Sequence, residues 1–353
     1  MEIPSRGAGG TPRRTPLPER GKETMKTRET SKKQGLLFLL LLALAIGSLA
    51  AGGCQPAAAP PVSGTGSAGT GSAKTSESPT GTTAPGKAED PYAGLWDRID
   101  GSTATIPLTE GILIDRLGIS PEEAASRAVH SKTDMAYRNL IYGQADLIFV
   151  TAPSEGVLAS AEEEGVELEV IPVTKDALVF LVNAENPVDS LTQQQLVDIY
   201  TGQITNWEEA GGSDAAIKPF QRPLASGSQT LFLQLLMKDV EPTQATPDLE
   251  MASMGGLIDA VADYDNAAAS LGYSVFYYAT DMYLSDQVKL LEVDGVKPTK
   301  ETIAAGEYPL GSYYYAVMRK DTAADHPARR MVDWLLSSEG QAVAEKAGYV
   351  PLQ

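Results

Sequence analysis

VIPVTKDALVFLVNAENPVDSLTQQQLVDIYTG, residues 170–202, decides the fold class. Two short runs rich in β-branched and aromatic residues, 170–173 and 177–182, are too brief for helices and read as strands. Thr192 then opens a helix with Gln195 as its capping-box partner. Leu196, Val197, Ile199 and Tyr200 form its apolar stripe, and Gly202 stops it. Outward from this segment the pattern repeats. Further strands are expected at 147–150 and 274–278. Helices are expected at 121–129, 134–143, 155–164, 229–238, 255–263 and 325–346, the last with Met331, Val332, Trp334, Leu335 and Leu336 on one side. Strand and helix in alternation give an α/β sheet with helices on its faces, and no internal repeat is visible.

The first ninety residues follow other rules. Lys26, Arg28, Lys32 and Lys33 precede an apolar run, GLLFLLLLALAIGSLAA at 35–51, that meets Gly52, Gly53 and Cys54. This is a secretory leader with a lipoprotein-type cleavage site, so lipidation at Cys54 is expected. The alternative is an uncleaved membrane anchor, because the run approaches the roughly 20 residues that span a bilayer. Both place the remainder on the extracytoplasmic face. Met25 reads as a more natural start than Met1. Residues 55–90, dominated by Ala, Pro, Gly, Ser and Thr, bury too little to offset backbone entropy and read as a tether.

Cys54 is the sole cysteine, and His130 and His326 are the only histidines. No disulfide, no metal site and no cofactor are expected. The full chain carries a net charge of −18. Beyond Cys54 there are 42 acidic against 19 basic residues, about −23, which disfavours nucleic acid as a partner.

Three segments place small hydroxyl residues and free backbone amides ahead of an expected helix, where an anion is favoured. The first contains Ser102, Thr103 and Thr105 after Gly101, and ordinary capping by Ser102 or Thr103 explains it equally well. In the second, His130-Ser131-Lys132-Thr133-Asp134, Ser131 and Asp134 also fit a capping box. The third, Arg222-Pro223-Leu224-Ala225-Ser226-Gly227-Ser228-Gln229-Thr230, is the most specific. A guanidinium four residues ahead of Ser-Gly-Ser supplies a planar fork, hydroxyls and amides for a tetrahedral anion.

At this third loop the sequence resembles the phosphate-specific substrate-binding lipoproteins of ABC transporters. The likeness extends over roughly 97–352, through Ile199-Tyr200-Thr201-Gly202, Ile204-Thr205-Asn206-Trp207, Asp294-Gly295-Val296-Lys297-Pro298-Thr299 and Gly348-Tyr349-Val350-Pro351-Leu352. It implies a two-lobed, type II periplasmic-binding-protein-like α/β fold, with lobes joined by two crossing strands. Lobe 1 would comprise 91–175 and 275–353, lobe 2 176–274, with hinges near 177–182 and 273–278. The implied ligand is inorganic phosphate, held by Ser102, Thr103, Thr105, Ser131, Thr133, Arg222, Ser226, Gly227 and Ser228. Asp146 stands for the family's aspartate that accepts a hydrogen bond from protonated phosphate and so disfavours sulfate. The resemblance also implies ABC permease subunits as partners, and the chain is expected to be a monomer attached to the membrane by its lipid.

Three other readings compete. The site takes a sulfate-like oxyanion if Asp146 points elsewhere. The domain is an envelope sensor that has lost anion binding. Or it is a phosphate-ester hydrolase with Ser228 or Ser131 as nucleophile, which is disfavoured because His130 is an isolated candidate base. The aromatic group Tyr273, Phe276, Tyr277, Tyr278, Tyr313, Tyr314 and Tyr315 is expected to pack strands beneath the cleft.

Overall fold

The computed structural model describes residues 90–353 apart from Leu284. The leader, Cys54 and the tether lie outside the described residues. Among those described, no helix is long and apolar enough to cross a membrane.

In chain order the elements are β1 (Ile99–Gly101), α1 (Ile106–Leu117), α2 (Pro121–Arg127), α3 (Thr133–Ile141), β2 (Leu147–Val150), α4 (Glu155–Glu163) and β3 (Leu168–Asn183). There follow β4 (Ser190–Leu191), α5 (Gln193–Tyr200), β5 (Lys218–Pro219), α6 (Gly227–Leu231), α7 (Met254–Ala262) and β6 (Ser270–Val275). The chain ends with β7 (Val288–Leu290), β8 (Glu292–Val293), α8 (Lys300–Ala304), β9 (Gly311–Arg319), α9 (Pro327–Leu336) and α10 (Ser338–Lys346).

One sheet runs β1-β2-β9-β3-β6-β5, with β7 also on β3. The two runs at 170–173 and 177–182 are a single 16-residue strand, β3. Its first part, 168–177, pairs antiparallel with β9. Its second, 178–183, pairs antiparallel with β6 and β7. One strand therefore serves both halves of a two-lobed molecule. The register slips between Pro172 and Thr174, where proline cannot donate to the ladder. The segment 288–293, grouped with lobe 1 from the sequence, instead pairs with strands of the second half: β7 with 181–183 and β8 with β4. The chain returns to the first half at Gly311, opposite Ala177.

β2 is buried at all four positions, so its unbroken apolar run needs cover on both faces. Leu147 and Phe149 face Leu108 and Ile112 of α1 within the main core. Ile148 and Val150 face Tyr137, Leu140 and Ile141 of α3 and Val157 of α4. The expected helix at 192–201 is α5, with Thr192 and Gln195 forming the capping box as read. The expected long helix at 325–346 is broken by Ser337, which ends α9 and caps α10. The strand expected at 274–278 stops at Val275, and Phe276 to Met282 turn helical. β9 is not among the strands expected from the sequence, which assigns its Tyr313, Tyr314 and Tyr315 only to packing beneath the cleft.

Candidate functional site

β1 and β2 are parallel neighbours, so the residues leaving their C-terminal ends, Ser102 and Thr151, emerge side by side. The Ser102 amide donates to the Phe149 carbonyl at 2.9 Å, which fixes the first loop against β2. Asp100 organises the second. One carboxylate oxygen accepts from the amides of Gly101 and Ser131, both at 2.7 Å; the other accepts from Ser131 Oγ at 2.5 Å and Asn139 Nδ2 at 2.7 Å. Ser131 is thus consumed in holding the loop, and Lys132 and Thr133 are presented instead. Lys132 has φ 77° and ψ 165°, a backbone region otherwise kept for glycine.

The third loop comes from the other half. The Arg222 amide donates to Tyr273 Oη at 3.0 Å and to Gln229 Oε1 at 3.2 Å, and the Tyr273 hydroxyl in turn donates to Gln229 Oε1. Tyr273 is locked among Phe180, Tyr200 and Phe232. Ser226 caps α6 by accepting from the Gln229 amide. Gly227 meets the opposite half so closely that a Cβ there would stand 2.5 Å from Thr151 Oγ1 and 2.8 Å from Thr133 Oγ1. Gln234 Nε2 also donates to the Pro153 carbonyl across the same seam, at 3.0 Å. The two halves are in contact around the site, and only glycine fits at that point.

Between them lies a cavity of about 400 Å³ whose polar lining includes Ser102, Thr103, Lys132, Thr133, Thr151, Arg222, Ser226 and Ser228. Met254, Val275, Tyr278 and Tyr314 also contribute to its walls. Arg222 is 8% exposed, yet its Nε and Nη1 have no hydrogen-bond partner, and Nη2 reaches only the Ala252 carbonyl at 3.4 Å. Ser228 Oγ and Thr151 Oγ1 are buried and unpartnered as well. Burial pushes the Arg222 pKa down, opposed only by the phenols of Tyr273 and Tyr278, and a guanidinium stays charged nonetheless. Four polar atoms left unsatisfied on one cavity, two of them on a buried cation, would each cost about 1–3 kcal/mol unless a ligand or water met them.

Of the residues singled out from the sequence, the cavity gathers Ser102, Thr103, Thr133, Arg222, Ser226, Gly227 and Ser228. Thr105 turns inward, with Oγ1 2.7 Å from the Phe149 carbonyl and 2.9 Å from that of Ser102. Ser131 is bound to Asp100, as above. Asp146 is at the wrong end of β2. It precedes the strand where Thr151 follows it, about 17 Å apart for five extended residues, and it is held by Arg98 Nε at 2.5 Å and Nη2 at 2.7 Å. That bond holds its carboxyl below the usual range. His130 props the first loop from behind, its Nδ1 2.9 Å from the Ser102 carbonyl and Nε2 3.1 Å from Thr109 Oγ1. Burial keeps its pKa below the ordinary histidine value.

Sequence reasoning missed Thr151. The signal available was topological: ligands of α/β sheets gather at the carboxyl ends of strands, and Thr151 is the first polar residue after a fully apolar one. The aromatic group divides. Tyr278 and Tyr314 line the cavity, Tyr273 packs beneath it, and Tyr277 stacks on Tyr349 at 3.8 Å.

The profile of the PBP superfamily domain matches residues 98–339. The phosphate-binding protein PstS of Bacillus subtilis is 31% identical over 195 residues, 54% of this chain and 61% of the Bacillus protein's length. That of Borreliella burgdorferi is 28% identical over 219 residues, 60% of this chain and 76% of its own. Among solved structures, a candidate phosphate ABC transporter substrate-binding protein of Clostridium perfringens, with phosphate bound, superposes with a TM-score of 0.57 at 25% identity. It covers 72% of this chain and 98% of that one. An ABC-type phosphate transport receptor of Vibrio cholerae shares the fold with a TM-score of 0.53 at 22% identity, covering 71% and 98%.

Proposed function

The chain belongs to the PBP superfamily, and from that premise we propose that it is an extracytoplasmic solute-binding protein that captures inorganic phosphate for an ABC importer. The observation that carries this reading is the convergence of Arg222 Nε and Nη1, Ser228 Oγ and Thr151 Oγ1, buried and unpartnered, on one cavity between the halves. A tetrahedral anion meets that need directly. The fork of Arg222 takes two oxygens, and the hydroxyls of Ser102, Thr133, Thr151 and Ser228 surround the rest. With about 1.5–3 kcal/mol for each charge-assisted bond, the set supports micromolar binding or tighter after association costs. The relatives named as phosphate-binding proteins support the same ligand.

In this reading the halves close over the anion by bending β3 and the segment after β6, and the closed surface is what permease subunits recognise. The protein acts as a monomeric carrier and not as an enzyme. Cys54 carries a lipid that keeps it at the membrane, and residues 55–90 lift the domain from the surface. Titration calorimetry of the phosphate-free protein against phosphate tests the reading. A dissociation constant in the micromolar range or below is expected; a folded protein that takes up neither phosphate nor any other oxyanion refutes it.

A further inference from the structure

The cavity lining contains arginine, lysine, serine, threonine and tyrosine, and neither aspartate nor glutamate. The groups acting on the Arg222 charge are phenols and no carboxylate. Two buried acids lie outside the lining: Asp100, whose oxygens are taken up by the amides of Gly101 and Ser131, Ser131 Oγ and Asn139 Nδ2, and Asp176, which lies behind Tyr314. One of its oxygens accepts from the Tyr277 amide at 3.1 Å.

A carboxylate in an anion site acts as a filter. It accepts a hydrogen bond from an anion that carries a proton and repels one that does not. A hydroxyl does not discriminate, because it donates to a bare oxygen and accepts from a protonated one with equal ease. At the point where the two halves meet, the side chains beside Gly227 are Thr133 and Thr151, and Thr151 Oγ1 is buried without a partner. Arg222 supplies one buried positive charge. Lys132, held in a glycine-like backbone conformation at the rim, adds a second. Two cations and no anion in the wall balance a doubly charged ligand, whatever its protonation.

Resting on the phosphate-capture reading above, we propose that the site reads charge and tetrahedral shape and not the ligand's proton. It takes dianionic oxyanions as a class, sulfate together with phosphate, and Thr151 is the residue that sets this breadth.

The test is calorimetry of the full chain with sodium phosphate and sodium sulfate. At pH 8 the two dissociation constants should agree within thirtyfold. On acidification to pH 5.5 phosphate becomes a monoanion while sulfate stays doubly charged, so phosphate should weaken relative to sulfate. Arg222, Lys132, Tyr278 and Tyr314 in the wall, Tyr273 and Asp176 beneath it, and His130 and Asp100 behind the Ser102 and Ser131 loops are the titratable groups that face the site. Their protonation acts on both ligands and cancels in the ratio. Thr151→Asp should restore the filter, weakening sulfate at least a hundredfold while phosphate changes less than tenfold. Sulfate more than thirtyfold weaker than phosphate in the wild-type protein overturns the proposal, and that result does not depend on the variant folding. Binding of neither anion would instead refute phosphate capture itself.

Discussion

Replacing Arg222 with alanine should weaken phosphate binding and, in the same protein, strengthen the empty fold. The guanidinium of this cavity-lining residue has two unpartnered nitrogens, Nε and Nη1, and its one hydrogen bond, from Nη2 to the Ala252 carbonyl, is long at 3.4 Å. Two charge-assisted hydrogen bonds are together worth about 3–6 kcal/mol. Water entering the space left by the truncated side chain recovers part of this, leaving a loss of about 2–4 kcal/mol, or 30- to 1,000-fold in affinity. Without ligand the sign reverses. A cation that is 8% exposed and faces no carboxylate is a burden on the unliganded state, so Arg222→Ala should unfold at an equal or higher urea concentration than wild type in anion-free buffer. Arg222→Lys restores the charge but not the fork, and should recover only part of the binding. Calorimetry and urea denaturation on the same samples give both quantities. An affinity within threefold of wild type, or a loss of more than about 1 kcal/mol in the anion-free stability, would refute the assignment of Arg222 as an anion ligand held ready by the fold.

Lys132→Gly should raise stability by about 1 kcal/mol, because glycine adopts φ 77° without strain, while lowering anion affinity; calorimetric unfolding and titration check the two directions. Gly227→Ala should reduce phosphate affinity at least tenfold in titration, since its Cβ would collide with the hydroxyls of Thr133 and Thr151. Asp176 is buried and its carboxyl is pushed up to about 6, above the roughly 3.9 of an unfolded chain. Its ionisation therefore opposes folding, so the contribution of this group is most favourable below about pH 4 and is lost as pH rises through 6. Asp176→Asn should be more stable than wild type at pH 8 by up to about 3 kcal/mol and equal to it near pH 4, measured by urea denaturation. Asp146→Asn should leave oxyanion binding unchanged. Because Arg98 holds the Asp146 pKa below its usual value, the pair's contribution is present above about pH 4 and lost as pH falls through the folded-state pKa. For a partly exposed pair it amounts to about 1 kcal/mol or less.

Legibility from the sequence followed the range of the interactions. The Arg222 loop was readable because its ligands and its cap lie within seven residues, and so was α5, whose Thr192–Gln195 box is local. β3 was broken in two because Thr174, Lys175 and Asp176 interrupt its apolar run. Thr174 and Asp176 are buried through contacts with the distant β9 and with Tyr277. β9 escaped because Tyr313, Tyr314 and Tyr315 carry no alternation of polarity. Tyr314 is fully buried and Tyr313 is 38% exposed, although both are tyrosine. The placement of Asp146 failed for a geometric reason: the resemblance matched a residue near β2, but not the end of the strand from which it leaves.

β9 lies between β2 and β3, yet it is made some 130 residues after β3 ends. The closing tail adds to this, with Lys175 donating to the Val350 carbonyl and the Tyr349 hydroxyl to that of Ala104. A chain emerging from its N-terminus, whether from a ribosome or through a membrane pore, therefore carries two facing strand edges with nothing to pair them until almost all of it has appeared. Early folding of the first half is denied, and the exposed edges invite wrong partners in the interval. Biogenesis should then depend on a holding factor or on rapid transit, and a product cut short before Gly311 would lack the strand that makes its first half a sheet.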